Sequence, residues 1–404
     1  MPDEKTAVRR EKTMRAEKRK PPVDDDKMIR QKNAVIRIAR MLHERGLMVR
    51  TWGNVSRRSD RDHFIVTPSG FSYHDMTPEN IVRVHLKKLT YRGKIKPSSE
   101  MAMHAAIYQM RPDAGFVIHT HQPYASCVSV LGEEEIRMTH DLGFNDMEDV
   151  VTFLPVASYA APNTRELAEH VADAIERNPD CAGVILENHG VVCWGKNERQ
   201  ARARAESIEI LCYTYLADMC HTALQYGVYE RFSSVREDGV ISFDDPGTPE
   251  RVKRIHRLIY AGRPDAGCIL HAASEAEVIV SKRYTEMKPL FDDFAQIIGS
   301  MVRIPGNARE TTGGEVFDIR KDVNVVFSPG DGAFCLGKDR YEAECAAKIL
   351  NKACIAQIAL TRLGKGHYLP YIHCRKIHKD YIRNYSVLVE KYSSKSATGR
   401  GREK

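Results

Sequence analysis

The sequence predicts an α/β protein in which a mixed β-sheet flanked by helices occurs twice along the chain. Three observations predict it. Residues 104–129, HAAIYQMRPDAGFVIHTHQPYASCVS, return 152 positions later as HRLIYAGRPDAGCILHAASEAEVIVS. Residues 180–205, DCAGVILENHGVVCWGKNERQARARA, return 142 positions later as DVNVVFSPGDGAFCLGKDRYEAECAA. Strand-like and helix-like patterns alternate without a clear run of βαβ crossovers. Two matches in the same order mark a duplicated domain, with the joint between about 225 and 245.

The elements follow from periodicity and punctuation. Residues 1–27 are charged and nearly free of large apolar groups. Such a segment cannot bury enough surface to offset the entropy of ordering it, and it is predicted to be disordered. Residues 28–45 read as a helix stopped by Gly46. HFIVTPSG (63–70) is a strand that ends in a Pro/Gly turn. Residues 98–110 form a helix with a polar start, SSE, and FVIHTH (116–121) is a strand. TRELAEHVADAIER (164–177) is an amphipathic helix that Thr164 can cap. GVILENHGVVCWG (183–195) is a hairpin with NHG at its turn, and a long helix follows from Glu198. The predicted domains are a catalytic unit at 28–228 and a degenerate copy without a metal site at 229–390. Residues 391–404 form a second disordered tail.

Composition narrows the class. Of 404 residues 42% are hydrophobic and 28% charged, which suits a soluble protein with sizeable cores. No run approaches the roughly 18 apolar residues of a membrane helix, and no secretion signal is recognisable. The ten cysteines are scattered in apolar contexts and none forms a CxxC pair. They read as reduced thiols of a cytoplasmic protein. The net charge of +7 is concentrated in the tails and no Lys/Arg stripe interleaves with aromatics, so neither nucleic acid nor membrane is an expected partner. The aromatic, basic segment 364–385 reads as packing, with an interface or an anionic substrate as the alternative.

The chemistry lies in the first copy. Residues i and i+2 of a strand face the same side, so His119 and His121 project together while Ile118 and Thr120 point away. Two imidazoles at that spacing can chelate one divalent ion. A bare HxH is more often a pair of ordinary histidines, so the neighbours decide. His189 sits at the ENHG turn, free to reach an adjacent strand, and Glu100 opens the helix leading into the HTH strand. The turns WGNVS (52–56) and TPSG (67–70), with Ser98 and Ser99, offer the N–H and hydroxyl groups that hold a phosphate. Metal ligands beside an anion cradle make a candidate site.

WGNVS, TPSG, PSSE, HTH, TRELAEHV and ENHG together resemble the class II aldolase/adducin family, of the L-fuculose-1-phosphate aldolase type, over roughly residues 30–225. The resemblance implies that fold, a mixed and mainly antiparallel sheet flanked by helices. It implies a metal, usually Zn²⁺, held by His119, His121 and His189, with Glu100 as fourth ligand or acid/base. Mn²⁺, Fe²⁺ and Co²⁺ accept the same ligands. Asn54, Ser69, Gly70, Ser98 and Ser99 would hold the substrate phosphate. The implied reaction is cleavage of a sugar phosphate to dihydroxyacetone phosphate and an aldehyde. A decarboxylase or dehydratase on the same scaffold, or a non-catalytic adducin-like scaffold, is the alternative. Family aldolases place a proton-donating tyrosine soon after the HxH strand, and this chain has His140 there. It is a candidate catalytic residue, or an ordinary loop histidine.

At matching positions of the second copy Glu100 becomes Val252, His121 becomes Ala273, His189 becomes Asp331, and Ser98–Ser99 become Glu250–Arg251. Only His271 survives, and no convincing GNVS or TPSG counterpart is evident. The resemblance implies homotetramers with sites between subunits. A fused inert copy could then close the first copy's site, and two chains would make a pseudo-tetramer.

Overall fold

The computed structural model describes residues 24–139, 149–220, 224–305 and 317–385. The described part opens with helix α1 (Asp24–Glu44), which takes in residues 24–27 of the segment expected to be disordered and is stopped by Gly46 at φ 74°. Strands β1 (Asn54–Arg58), β2 (His63–Val66), β3 (Val82–His85) and β4 (Phe116–Thr120) follow, with α2 (Met101–Met110) before β4. Next come α3 (Pro123–Val128), β5 (Glu135–Arg137), β6 (Phe153–Ala157) and α4 (Arg165–Arg177). The hairpin β7 (Gly183–Leu186) and β8 (Gly190–Gly195) leads into α5 (Glu198–Cys220). These strands form one eight-stranded sheet in the order β3-β2-β1-β4-β8-β7-β6-β5. Its pairings are antiparallel apart from β6 with β7.

Alternation along the strands splits the core. Val117, Val184, Val192 and Trp194 pack under α2 and α4, whereas Ile118, Ile185, Val191 and Cys193 pack under α1, α3 and α5. Thr164 caps α4 by accepting the Leu167 N–H, as the sequence predicts.

The second half repeats the plan in reduced form. Strands β9 (Glu230–Glu237), β10 (Val240–Phe243), β11 (Cys268–Ala272), β14 (Val325–Ser328) and β15 (Gly332–Gly337) form a sheet ordered β10-β9-β11-β15-β14. That order mirrors β2-β1-β4-β8-β7. A small pair, β12 (Glu286–Met287) and β13 (Val302–Arg303), lies apart. The helices are α6 (Glu250–Gly262), α7 (Glu275–Arg283), α8 (Asp292–Ile297), α9 (Arg340–Leu363) and α10 (Tyr371–Asp380).

The structure also corrects the reading of the second copy's first strand. A counterpart of the GNVS strand is present: β9 pairs Phe232 with His271 just as β1 pairs Asn54 with His119. The shared detail is a buried lock. Ser56 Oγ meets His104 Nδ1 at 2.6 Å and Tyr108 OH at 2.9 Å. In the second half Ser234 Oγ meets His256 Nδ1 at 2.7 Å and Tyr260 OH at 3.1 Å. Sequence comparison missed this because FSSVRE and NVSRR share little beyond Ser and Arg at those positions.

The halves share one apolar core. α9 is buried nearly all round, from Ala343 to Leu360, and belongs to the same cluster as α1, α3 and α5. A helix apolar on every side must be covered on every side, and here the two halves cover it together. Among the described residues no helix is long and apolar enough to cross a membrane.

Candidate active site

Three close approaches of backbone build the site. β1 and β8 flank β4, so Asn54 and Val192 stand opposite His119. The β7–β8 turn needs Asn188 in a left-handed conformation, φ 57°, and Gly190, where a Cβ would collide with the Thr120 carbonyl. That glycine lets His189 lie against the end of the HTH strand. An isolated bridge between Pro68 and Pro97 joins the other two motifs, with Ser98 N–H donating to Thr67 O at 2.9 Å. TPSG and PSSE are therefore one wall.

His119, His121 and His189 converge, 0%, 4% and 2% exposed, each offering a ring nitrogen within 4.8 Å of the others. His119 Nε2 lies 3.1 Å from His121 Nε2. Glu100 spans the cluster, with Oε2 3.3 Å from His119 Nε2 and Oε1 3.2 Å from His189 Nε2. Ligands about 2.0–2.1 Å from a tetrahedral ion stand roughly 3.3 Å apart. The observed spacings fit that cage.

The outer faces of the rings fix which nitrogens carry lone pairs. His119 Nδ1–H donates to Val191 O at 3.0 Å, which leaves Nε2 bare. Asp292 Oδ2 lies 3.1 Å from His189 Nδ1, and Asp293 Oδ2 lies 3.5 Å from His121 Nδ1. A carboxylate facing Nδ1 calls for a proton there, so with a cation present these Nε2 atoms would also turn lone pairs inward. Neither ring–carboxylate pair is aligned as a hydrogen bond, and His121 Nδ1, His189 Nδ1 and both Asp292 oxygens are left without one. Such buried orphans fit a cluster whose rings a cation would draw into line.

Charge follows burial and pairing. Burial opposes the Glu100 anion, but the three histidines outweigh it and hold its carboxyl well below the usual range. Burial pushes His119 down to about 3 and also lowers His121. It pulls on His189 too, yet Asp292 and Glu100 prevail and raise that ring to about 10. Without a cation, His189 therefore holds the proton that offsets the carboxylates.

A hydrogen-bond chain ends on Glu100. Asn54 Nδ2 donates to Glu100 Oε2 at 2.8 Å, so its Oδ1 accepts from His104 Nε2–H. His104 Nδ1 then accepts from Ser56, whose oxygen accepts from Tyr108. Burial holds His104 down to about 4, so it stays neutral in this chain. Sequence reasoning missed Ser56, His104 and Tyr108. The available signal was a histidine four residues after Glu100, one helical turn on.

A cavity of about 260 Å³ opens above the cluster. Asn54, Ser69, Gly70, Ser98 and Ser99 line it beside Glu100, His121 and His189. From the second half α10 adds His373, Lys376, Ile377 and Asp380, and Tyr381 follows. The 364–385 segment thus reaches the cleft, beyond the packing role read from sequence. His140 falls in 140–148, outside the described residues.

The matching place in the second half is closed. His271 Nε2–H donates to Asp331 O at 2.6 Å, and its ring stacks on Phe334 at 4.5 Å and on Phe232 at 6.2 Å. Asp331 is paired with Arg231 and Arg251. The lock residue His256 has lost the Asn54-like partner, and its Nε2 is left without one.

The model of the class II aldolase and adducin N-terminal domain matches residues 33–216 and again 227–358. L-fuculose phosphate aldolase of Escherichia coli (strain K12) is 34% identical over 177 residues, 44% of this chain and 78% of that protein. The 5-methylthioribulose-1-phosphate/5-deoxyribulose-1-phosphate aldolase of Rhodospirillum rubrum is 33% identical over 188 residues, 46% and 79% of the two chains. A solved L-fuculose 1-phosphate aldolase aligns with TM-score 0.42 and 29% identity, over 46% of this chain and 85% of its own. The chain belongs to the class II aldolase and adducin N-terminal domain family, and carries that domain twice.

Proposed function

We propose that the protein is a metal-dependent carbon–carbon lyase that cleaves a sugar phosphate to dihydroxyacetone phosphate and an aldehyde. The observation that carries this is the meeting of three inward-facing imidazoles and Glu100 beneath a cleft walled by Asn54, Ser69, Gly70, Ser98 and Ser99. The aldolase names of the relatives support a phosphorylated ketose as substrate.

His119, His121 and His189 would hold the ion, with Zn²⁺ favoured by the imidazole set and Mn²⁺, Fe²⁺ or Co²⁺ as substitutes. When bound, it supplies Lewis-acid stabilisation of the enediolate charge that develops on cleavage. The hydroxyls of Ser69, Ser98 and Ser99, with Asn54 and the Gly70 backbone, grip the phosphate and orient the reacting end. Glu100, anionic and steadied by Asn54, takes the proton from the hydroxyl on the carbon that becomes the aldehyde. It returns that proton to the enediolate carbon after the bond breaks. His140 stays a candidate donor near the aldehyde. Two chains, four domains in a pseudo-tetramer, complete the proposed cytoplasmic assembly.

The test is elemental analysis of protein purified without added metal, followed by cleavage assays on ketose 1-phosphates. About one divalent ion per chain and release of dihydroxyacetone phosphate support the reading. Bound metal with no cleavage of any such substrate moves the proposal to a decarboxylase or dehydratase. No metal after soaking with Zn²⁺ overturns it in favour of a scaffold.

A further inference from the structure

The second domain enters the first domain's histidine cluster through two adjacent carboxylates. Asp292 and Asp293 begin α8 and are 1% and 0% exposed. Consecutive helical residues point about 100° apart, so one turn of helix can serve two rings. Asp292 faces His189 and Asp293 faces His121, each on the nitrogen away from the cage. Behind them stands Lys352 of α9, 1% exposed, its Nζ 2.6 Å from Asp293 Oδ2 and 3.3 Å from Ser126 Oγ.

Burying a carboxylate costs several kcal/mol unless an opposite charge and hydrogen bonds offset it. Lys352 offsets Asp293. Among the described residues no lysine or arginine is paired with Asp292, and His189 is the ring it faces. Glu100, Asp292 and Asp293 supply three negative charges, and Lys352 supplies one positive. An ion of charge two between neutral imidazoles brings the sum to zero. A structural ion pair accounts for Lys352 and Asp293, and without an ion the His189 proton is what faces Asp292 and Glu100.

We propose that Asp292 and Asp293 are positioning residues that hold His189 and His121 in the Nδ1–H tautomer, orient their rings and balance the ion's charge. The second domain, which has Ala273 and Asp331 where the first has His121 and His189, thereby sets the metal affinity of the first. This rests on the reading that the three histidines hold a divalent ion. Carboxylates behind metal-bound histidines raise ligand basicity, and their loss typically weakens binding 10- to 100-fold.

The test uses full-length protein stripped of metal and titrated with Zn²⁺ against a chromophoric chelator. A second readout is the visible spectrum after filling with Co²⁺, and a third is the melting curve without metal. Asp292→Asn and Asp293→Asn are each expected to weaken Zn²⁺ binding 10- to 100-fold and to shift the Co²⁺ bands, while the stripped proteins still melt cooperatively. Should Asp293→Asn fail to fold because Lys352 is left unpaired, the double change Asp293→Asn/Lys352→Met removes both charges and carries the same expectation. Zn²⁺ affinity within twofold of wild type and an unchanged Co²⁺ spectrum would overturn the inference while leaving the metal reading intact. Wild-type protein that binds no divalent ion would overturn both.

Discussion

The side-chain amide of Asn188 donates to the carbonyls of Leu290 at 2.8 Å and His367 at 2.9 Å, tying the turn that carries His189 to the second domain. Leu290 lies two residues before Asp292, so one side chain joins the turn that carries His189 to the carboxylates behind it. Asn188→Gly keeps the left-handed backbone and removes both bonds. It is expected to cost roughly 1–3 kcal/mol in urea unfolding, because two carbonyls lose their donor. Zn²⁺ binding should weaken as well. Unchanged stability would mean that the domain contact does not depend on this residue.

The duplicated serine lock allows a paired comparison. Ser56→Ala and Ser234→Ala each leave a buried His and Tyr without their shared hydroxyl, and each should lower stability by about 1–3 kcal/mol. Their effects on turnover should differ. The first lock continues through His104 and Asn54 to Glu100, whereas His256 Nε2 reaches no partner. Ser56→Ala should therefore reduce kcat severalfold at temperatures where both variants are folded, and Ser234→Ala should leave it near wild type. Equal losses would show that the chain to Glu100 carries no orientation.

The His119–His121 pair was legible in the sequence because strand alternation has a fixed period, and NHG because its glycine answers a steric demand at Thr120. The wall formed by TPSG and PSSE was legible only as two motifs. Their contact comes from a bridge between Pro68 and Pro97, which no local pattern encodes. Asp292 and Asp293 were not legible at all. Two acids before Phe294 read as an ordinary polar helix start, and only the docking of the second domain through α9 buries them against histidines over a hundred residues earlier. His104 was hidden for the opposite reason. It lies on the buried face of α2, where a histidine looks like core until its two nitrogens are accounted for.

A pH effect follows from Glu209 of α5. Its carboxylate accepts from Tyr124 N–H at 2.8 Å and Ala125 N–H at 3.1 Å, capping α3 directly after the HTH strand. Burial nevertheless pushes it up to about 7. Because the folded-state value lies above the unfolded value of about 4.3, the protonated form favours the fold. That contribution is whole below about pH 4.3 and is lost as pH rises through 7. Glu209→Gln keeps one acceptor and cannot ionise. The stability difference, variant minus wild type, should rise between pH 5 and 8 by an amount of the order of 3 kcal/mol, since each tenfold change in proton affinity is worth about 1.4 kcal/mol. Urea unfolding at several pH values measures it. A difference flat in pH would show that Glu209 is charged throughout. Any constant offset belongs to the amide's fit against the α3 N–H groups.

Glu100 has two readings, ligand or acid/base, and one substitution separates them. Glu100→Gln removes the charge while its amide oxygen can still accept from Asn54. Three imidazoles with fixed tautomers suffice to hold a divalent ion with an open position. The variant is therefore expected to keep about one ion per chain after gel filtration, and its KM for a ketose phosphate should change little, since the wall proposed to hold the phosphate is untouched. Its kcat should fall 10²- to 10⁴-fold, the usual range for a lost general acid/base. Loss of the ion together with activity would assign Glu100 to the ligand set instead. Full activity with full metal would remove it from the chemistry and shift the proton transfer to another group lining the cleft.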